Sequence, residues 1–200
     1  MTTEEKILGA AEAEMLERGY DGARMRSIAE KAEINKGLLH YYFKTKETLL
    51  VAVFQKTFQQ IFKTLDEVFQ SEMPLFEKVE KAVAEYSDFM IKHPKLPFFI
   101  ISEMNRDAMK HNQRMLKAEV KPPFSTLFQE FEKGKKSGLI DPNFKPEHFM
   151  LNMMGLILFP FIARPMVMFM HKMNQSEYKQ LLNDRKKLVA EILINDIKAK

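Results

Sequence analysis

RSIAEKAEINKGLLHYYFKTKE, Arg26 to Glu47, governs how the rest of the chain is read. Ile28, Ala29 and Ala32 recur at helical spacing, so the first part of this stretch has one apolar face. Asn35 can cap a second short helix by accepting from amides of its first turn. Leu39, Tyr42 and Phe43, at i, i+3 and i+4, would bury that helix against the first. Lys36, Gly37, Leu38, His40 and Tyr41 then face outward. A face offering a cation, a position without a side chain and a phenol suits close approach to a polar partner. Thr45 caps a further helix that begins with Lys46 and Glu47. Two short helices joined by a tight turn, the second exposed at its N-terminal end, predict a helix-turn-helix that can enter a DNA major groove.

The pattern IAEKAEINKGLLHYYFKTKETLL resembles the DNA-binding domain of the tetracycline-repressor (TetR) family of bacterial transcriptional regulators. The resemblance is carried by Ile28, Ala29, Ala32, Ile34, Lys36, Gly37, Leu39, Tyr41, Phe43, Lys46, Glu47 and Leu49. ILGAAEAEMLERGYDG, Ile7 to Gly22, is similar to the family's first helix and its Gly-Tyr exit. Four positions depart from the family pattern: Arg24 stands for a capping Ser or Thr, Glu33 for a turn glycine, Leu38 for a Thr or Ser, and His40 for a Tyr. An unchanged turn would put Glu33 in a strained left-handed backbone. The resemblance implies that Lys36 and Leu38 approach base edges, with Gly37 permitting the approach. It further implies backbone or phosphate contacts from Arg24, Arg26, His40, Tyr41 and Lys46, and a donor in Thr45. Lys36 could read guanine O6 and N7, and Leu38 a thymine methyl.

Composition sets bounds. The 200 residues carry a formal charge of only +4 and no cysteine. The absence of cysteine removes disulfides, thiolate zinc sites and thiol nucleophiles, and fits a reducing cytoplasm. The acidic-amphipathic start MTTEEKILGAAE lacks the order of a secretory signal. Residues 1–20 carry two cations against five anions and residues 21–47 six against four, so the first 47 residues sum to −1. DNA binding must then rest on where the cations sit.

The remaining sequence reads as all-α, with about nine helices. Thr2 or Thr3 caps the first helix, whose stripe is Ile7, Leu8, Ala11 and Met15, and Gly19 stops it. Residues 1–48 are expected to form the DNA-binding domain, with the helix-turn-helix at about 25–44. A long helix over 49–72 connects it to a C-terminal effector-binding and dimerisation bundle, 73–200. There Pro74 opens a helix to His93, a break is expected near Asn112, and Pro122–Pro123 bend the start of a helix over 115–137. The apolar segment 146–171 is interrupted by Pro160 and Pro165, and a last helix runs from Ser176.

The five histidines lack ligand spacing, no nucleophile-elbow motif appears, and neither an enzyme, a metal nor a cofactor is expected. Phe149 to Met170 has the length and apolarity of a membrane span. Asn152, Arg164 and two prolines favour a buried helix instead. LFPFIARP is similar to a C-terminal segment of some TetR-family members, which implies a homodimer built from the last two helices. Phe161, Leu181, Leu188, Val189 and Ile192 are its expected contacts. By the same analogy the Phe- and Met-rich middle, including Phe89, Phe99, Met104 and Phe128, would line a cavity for an apolar or amphipathic effector; plain core packing is the alternative. The function implied is a ligand-responsive repressor acting on palindromic double-stranded DNA. The rival is a helical carrier or interaction protein that does not bind DNA.

Overall fold

The computed structural model describes residues 1–106, 108–117 and 124–199, and these hold eleven helices. They are α1 (Thr3–Gly22), α2 (Met25–Lys31), α3 (Lys36–Tyr42), α4 (Lys46–Gln70), α5 (Leu75–Lys92), α6 (Leu96–Arg106), α7 (Ala108–Lys117), α8 (Phe124–Lys136), α9 (Pro146–Ile162), α10 (Arg164–Met170) and α11 (Gln175–Ile197). The only strand-like feature among the described residues is an isolated bridge between Ile140 and Lys198. The chain divides into two compact units, Met1–Gln60 with Phe98–Lys121, and Ile61–Pro97 with Pro122–Lys200.

In the first unit, Thr2 and Glu5 form a reciprocal capping box that starts α1. Gly19, at φ 69°, breaks the helical path before a final turn to Gly22. Ile7, Ala11 and Met15 from α1, Ile28 and Ala29 from α2, Leu39 from α3, and Leu49, Leu50, Val53 and Phe54 from α4 make one core. Phe99 of α6 joins it, with its ring 5.9 Å from that of Phe54. Glu14 is fully buried in this unit and ion-paired to Lys31 at 2.7 Å, off the hydrogen-bonding direction.

In the second unit, α11 packs on α5 and α9. Phe131, Phe144 and Phe149 meet edge to face with centroids 4.9–6.3 Å apart. The end of α11 is pinned by Asp141 N donating to Ile197 O and Ala199 N donating to Leu139 O. The buried Lys78 of α5 donates to Phe69 O at the end of α4 and pairs with Glu130 of α8, so the cation meets a negative helix terminus and a carboxylate together.

Several boundaries differ from the sequence expectation. The break near Asn112 is absent, because α7 runs through it to Lys117. The Pro122–Pro123 bend lies outside the described residues. Pro160 does not end its helix either. Proline has no N–H, so the carbonyl of Leu156 loses its helical donor; Arg185 Nη2 of α11 supplies one at 3.0 Å. The break falls at Ala163, where α9 and α10 meet at 67°, and the Tyr178 hydroxyl donates to the freed carbonyl of Pro160. No single helix among the described residues is long and apolar enough to cross a membrane.

This substitution of donor has a measurable consequence. Arg185→Met is expected to cost about 1.5–3 kcal/mol of folding stability, the worth of a hydrogen bond to a charged group. In a Pro160→Ala background, where residue 160 regains its N–H, the same change should cost clearly less. Urea unfolding of the four proteins gives the coupling, and equal costs in both backgrounds would contradict the assignment.

Candidate nucleic-acid interface

The turn between α2 and α3 is built by backbone bonds. Ile34 N donates to Ala29 O at 3.0 Å and Glu33 N to Glu30 O at 3.1 Å, with Glu33 left-handed at φ 57°. This closes α2 in the paired 6→1 and 5→2 pattern that glycine usually serves, and the carboxylate side chain accepts the strain. Arg24 makes no capping bond to α2, as its chemistry predicts. Asn35 Oδ1 accepts from Leu38 N at 2.8 Å and starts α3. A Cβ added to Gly37 would lie 3.2 Å from that same oxygen, so the glycine also protects the cap.

Leu39 and Phe43 are buried, which leaves Lys36, Gly37, Leu38, His40 and Tyr41 outward; Tyr41 is 81% exposed. Tyr42 differs from expectation. It is 40% exposed and packs edge-on against Tyr41 at 5.6 Å instead of entering the core. A helix of seven residues has room for one buried stripe, and Leu39 fills it.

The cations of this region divide into two sets. Arg26 pairs with Glu30 at 2.9 Å, both exposed, and Lys31 is held by Glu14 and Glu17. Among the described residues Arg24, Lys36 and Lys44 form no ion pair. Lys44, exposed between α3 and α4, was not singled out from sequence because no motif position marks it.

Lys46 requires a correction. Its ammonium donates to the carbonyls of Tyr20 at 2.7 Å, Asp21 at 3.2 Å and Ala23 at 3.0 Å, and lies 4.5 Å from the centre of the Tyr20 ring. All three protons are thus committed to the negative end of α1, and none remains for a phosphate. Lys46→Ala should therefore lower stability by about 1.5–3 kcal/mol while leaving the salt dependence of DNA binding unchanged. Thermal melts and a salt titration check this, and a slope reduced by one would restore Lys46 to the interface. Thr45 accepts from Thr48 N at 3.1 Å, which caps α4.

The other expected sites scatter. Phe99 belongs to the core of the first unit, where Met104 is 46% exposed. Phe89, in the second unit, is buried with its ring 4.6 Å from that of His93, and Phe128 is half-buried. A cavity in the second unit, lined by Leu156, Pro160, Phe161, Arg185 and Val189, holds about 10 Å³, room for one water. Phe161 and Val189 are buried within the chain itself, while Leu188 and Ile192 are 47% and 41% exposed and Leu181 is half-buried. The guanidinium of Arg164 donates to Gln175 and lies over Tyr178; the side chain of Arg106 lies outside the described residues.

A tri-helical domain that buries one side of its third helix and presents that helix's first turn, beside unpaired cations, is a helix-turn-helix DNA-binding domain. Residues 7–53 match the family described as bacterial regulatory proteins, tetR family. The chain is 27% identical over 136 residues to the uncharacterized HTH-type transcriptional regulator YhgD of Bacillus subtilis, covering 68% of this chain and 71% of that one. Its fold matches a TetR-family regulator of Mesorhizobium loti with a TM-score of 0.70 at 21% identity, over 98% and 96% of the two chains. The regulator FadR of Bacillus subtilis, solved in complex with stearoyl-CoA, matches with a TM-score of 0.70 at 21% identity, over 93% and 97%. Over residues 7–53 the chain thus carries the DNA-binding domain of the tetR family of bacterial regulatory proteins.

Proposed function

We propose that this regulator acts as a homodimeric repressor on a palindromic operator and responds to an apolar or amphipathic ligand. One observation carries the DNA-binding part: Lys36, Gly37 and Leu38, the first turn of α3, stand exposed while Leu39 of the same helix is locked into a core shared with α1, α2 and α4. In this reading Lys36 and Leu38 meet base edges, and Gly37 admits the groove wall. Arg24, Arg26, His40, Tyr41, Lys44 and Thr45 line the phosphate backbone. The exposed Arg26–Glu30 pair is worth little in water, so Arg26 can exchange its carboxylate for a phosphate at small cost. Residues 1–48 would carry DNA binding and α4 the connection to the C-terminal bundle. No catalytic role enters the reading.

Two-fold pairing is supported by exposed apolar side chains on the last helices: Leu151, Met154 and Phe159 of α9 with Leu188 and Ile192 of α11. The ligand class is supported by the neighbour solved in complex with stearoyl-CoA, and Phe89 and Phe128 are proposed as part of its lining. With about 10 Å³ open beside Phe161, a ligand there would have to displace side chains. Binding to duplex DNA from upstream of the coding sequence, followed by fluorescence anisotropy, tests the function. Affinity should fall linearly in log–log form as salt rises, with preference over unrelated DNA retained. An amphipathic acyl thioester should weaken it. Equal affinity for every duplex would defeat the regulator reading.

A further inference from the structure

Arg114 of α7 is 2% exposed, yet it is a permanent cation, and its surroundings explain how it is tolerated. Nε and Nη2 donate to the two carboxylate oxygens of Glu47 at 2.7 and 2.8 Å, and Nη1 donates to Glu103 of α6 at 2.9 Å. Only a planar fork can serve one carboxylate twice and a second one beside it; a lysine cannot. Glu47 Oε2 also accepts from the Tyr20 hydroxyl at 2.9 Å. The Tyr20 ring lies 4.8 Å from the Arg114 guanidinium carbon and 4.5 Å from the Lys46 ammonium, which in turn grips the last carbonyls of α1. One connected set of charged hydrogen bonds thus runs from α6 and α7, through the first turn of α4, to the end of α1.

The position matters because of what lies next to it. Glu47 stands five residues beyond Tyr42, the end of the recognition helix, and Leu49 and Leu50 on the following turn are buried in the same core as Leu39. The apolar core, with the Lys31 pairs to Glu14 and Glu17, holds α1, α2 and α3 together. A buried ion network adds little net stability over well-packed apolar groups, but it admits one geometry and penalises others, since any shift leaves a desolvated charge. The hydrogen bonds of Arg114 hold the Glu47 carboxyl below the usual carboxylate range against the opposing effect of its partial burial, so the pair persists at neutral pH.

We propose that Arg114 is a positioning residue, the latch by which α6 and α7 fix the first turn of α4 and hence the recognition helix in its DNA-reading arrangement. A ligand that displaces α7 would then release the recognition helix by breaking three hydrogen bonds, and operator binding would reciprocally resist that displacement. The proposal rests on the DNA-binding reading above.

The test uses the full chain, its Arg114→Met, Arg114→Lys and Glu47→Gln variants, and two readouts. In Arg114→Met, amides of 20–23 and 46–51 should exchange hydrogen about tenfold faster while those of α11 are unchanged. Affinity for DNA selected by the wild-type protein should fall about tenfold or more, with affinity for unrelated duplex held within about twofold. Arg114→Lys should not restore either readout. Glu47→Gln keeps the side-chain shape and removes the charge and one acceptor; it should shift both readouts in the same direction by less, and it keeps the test open if Arg114→Met does not fold. A folded Arg114→Met, or failing that a Glu47→Gln, that exchanges and binds as wild type overturns the latch. If the wild-type protein selects no DNA, the DNA-binding reading fails on its own, and the exchange rates still decide whether Arg114 holds the α4 turn.

Discussion

Replacing Leu188 and Ile192 together by glutamate is expected to yield a folded monomer whose operator affinity has fallen by about three orders of magnitude, to the level of nonspecific binding. The two side chains lie one helical turn apart on α11 and are 47% and 41% exposed, so charging them costs the isolated chain little. In a two-fold interface the same charges would be desolvated on both copies at once. Losing the partner removes half of the base contacts and the geometric selection for paired half-sites. Val189, the residue between them, makes the control. It is 1% exposed against α11's intrachain neighbours, and Val189→Glu should unfold the second unit instead of dissociating a dimer. Sedimentation and DNA binding on one sample separate the outcomes. A folded Leu188→Glu/Ile192→Glu monomer that keeps wild-type operator affinity would remove the dimer from the account.

Lys36→Ala is expected to cost about 1–3 kcal/mol against the preferred sequence, five- to about 150-fold, and to relax selection at one base pair per half-site. The residue opens α3, is exposed and forms no ion pair among the described residues, so its removal disturbs no internal contact. The fold should be untouched, which separates a reading role from a structural one. Leu38→Ala should have a smaller effect confined to thymine positions, since only apolar contact is lost. Identical sequences selected by wild type and Lys36→Ala would rule out direct readout by this residue.

The helix-turn-helix was legible because its information is local. Asn35 as cap, Leu39 and Phe43 as buried stripe and Thr45 as the next cap each act within one turn of their own position. Glu33 was legible for the same reason: the turn geometry demands φ > 0 whatever residue fills it. What failed was non-local. Lys46 looks like a free cation at a helix start until the chain folds the end of α1 onto it, 26 residues away in sequence. Val189 and Ile192 are equally apolar, and only packing on α5 and α9 decides which is core and which is surface. Pro160 reads as a break, yet Arg185, 25 residues on, repairs the bond that proline omits. Arg114 carried no sequence signal, since its partners Glu47 and Glu103 lie 67 and 11 residues away.

The most direct test of the central claim is selection of duplex DNA from a random pool by the purified protein, with the stoichiometry of the selected complex measured by sedimentation. The account predicts an enriched palindrome whose half-site centres lie about one helical turn apart or somewhat more, bound by chains in even number, one recognition helix to each half-site. An unenriched pool, or an asymmetric sequence bound by a single chain, would contradict it.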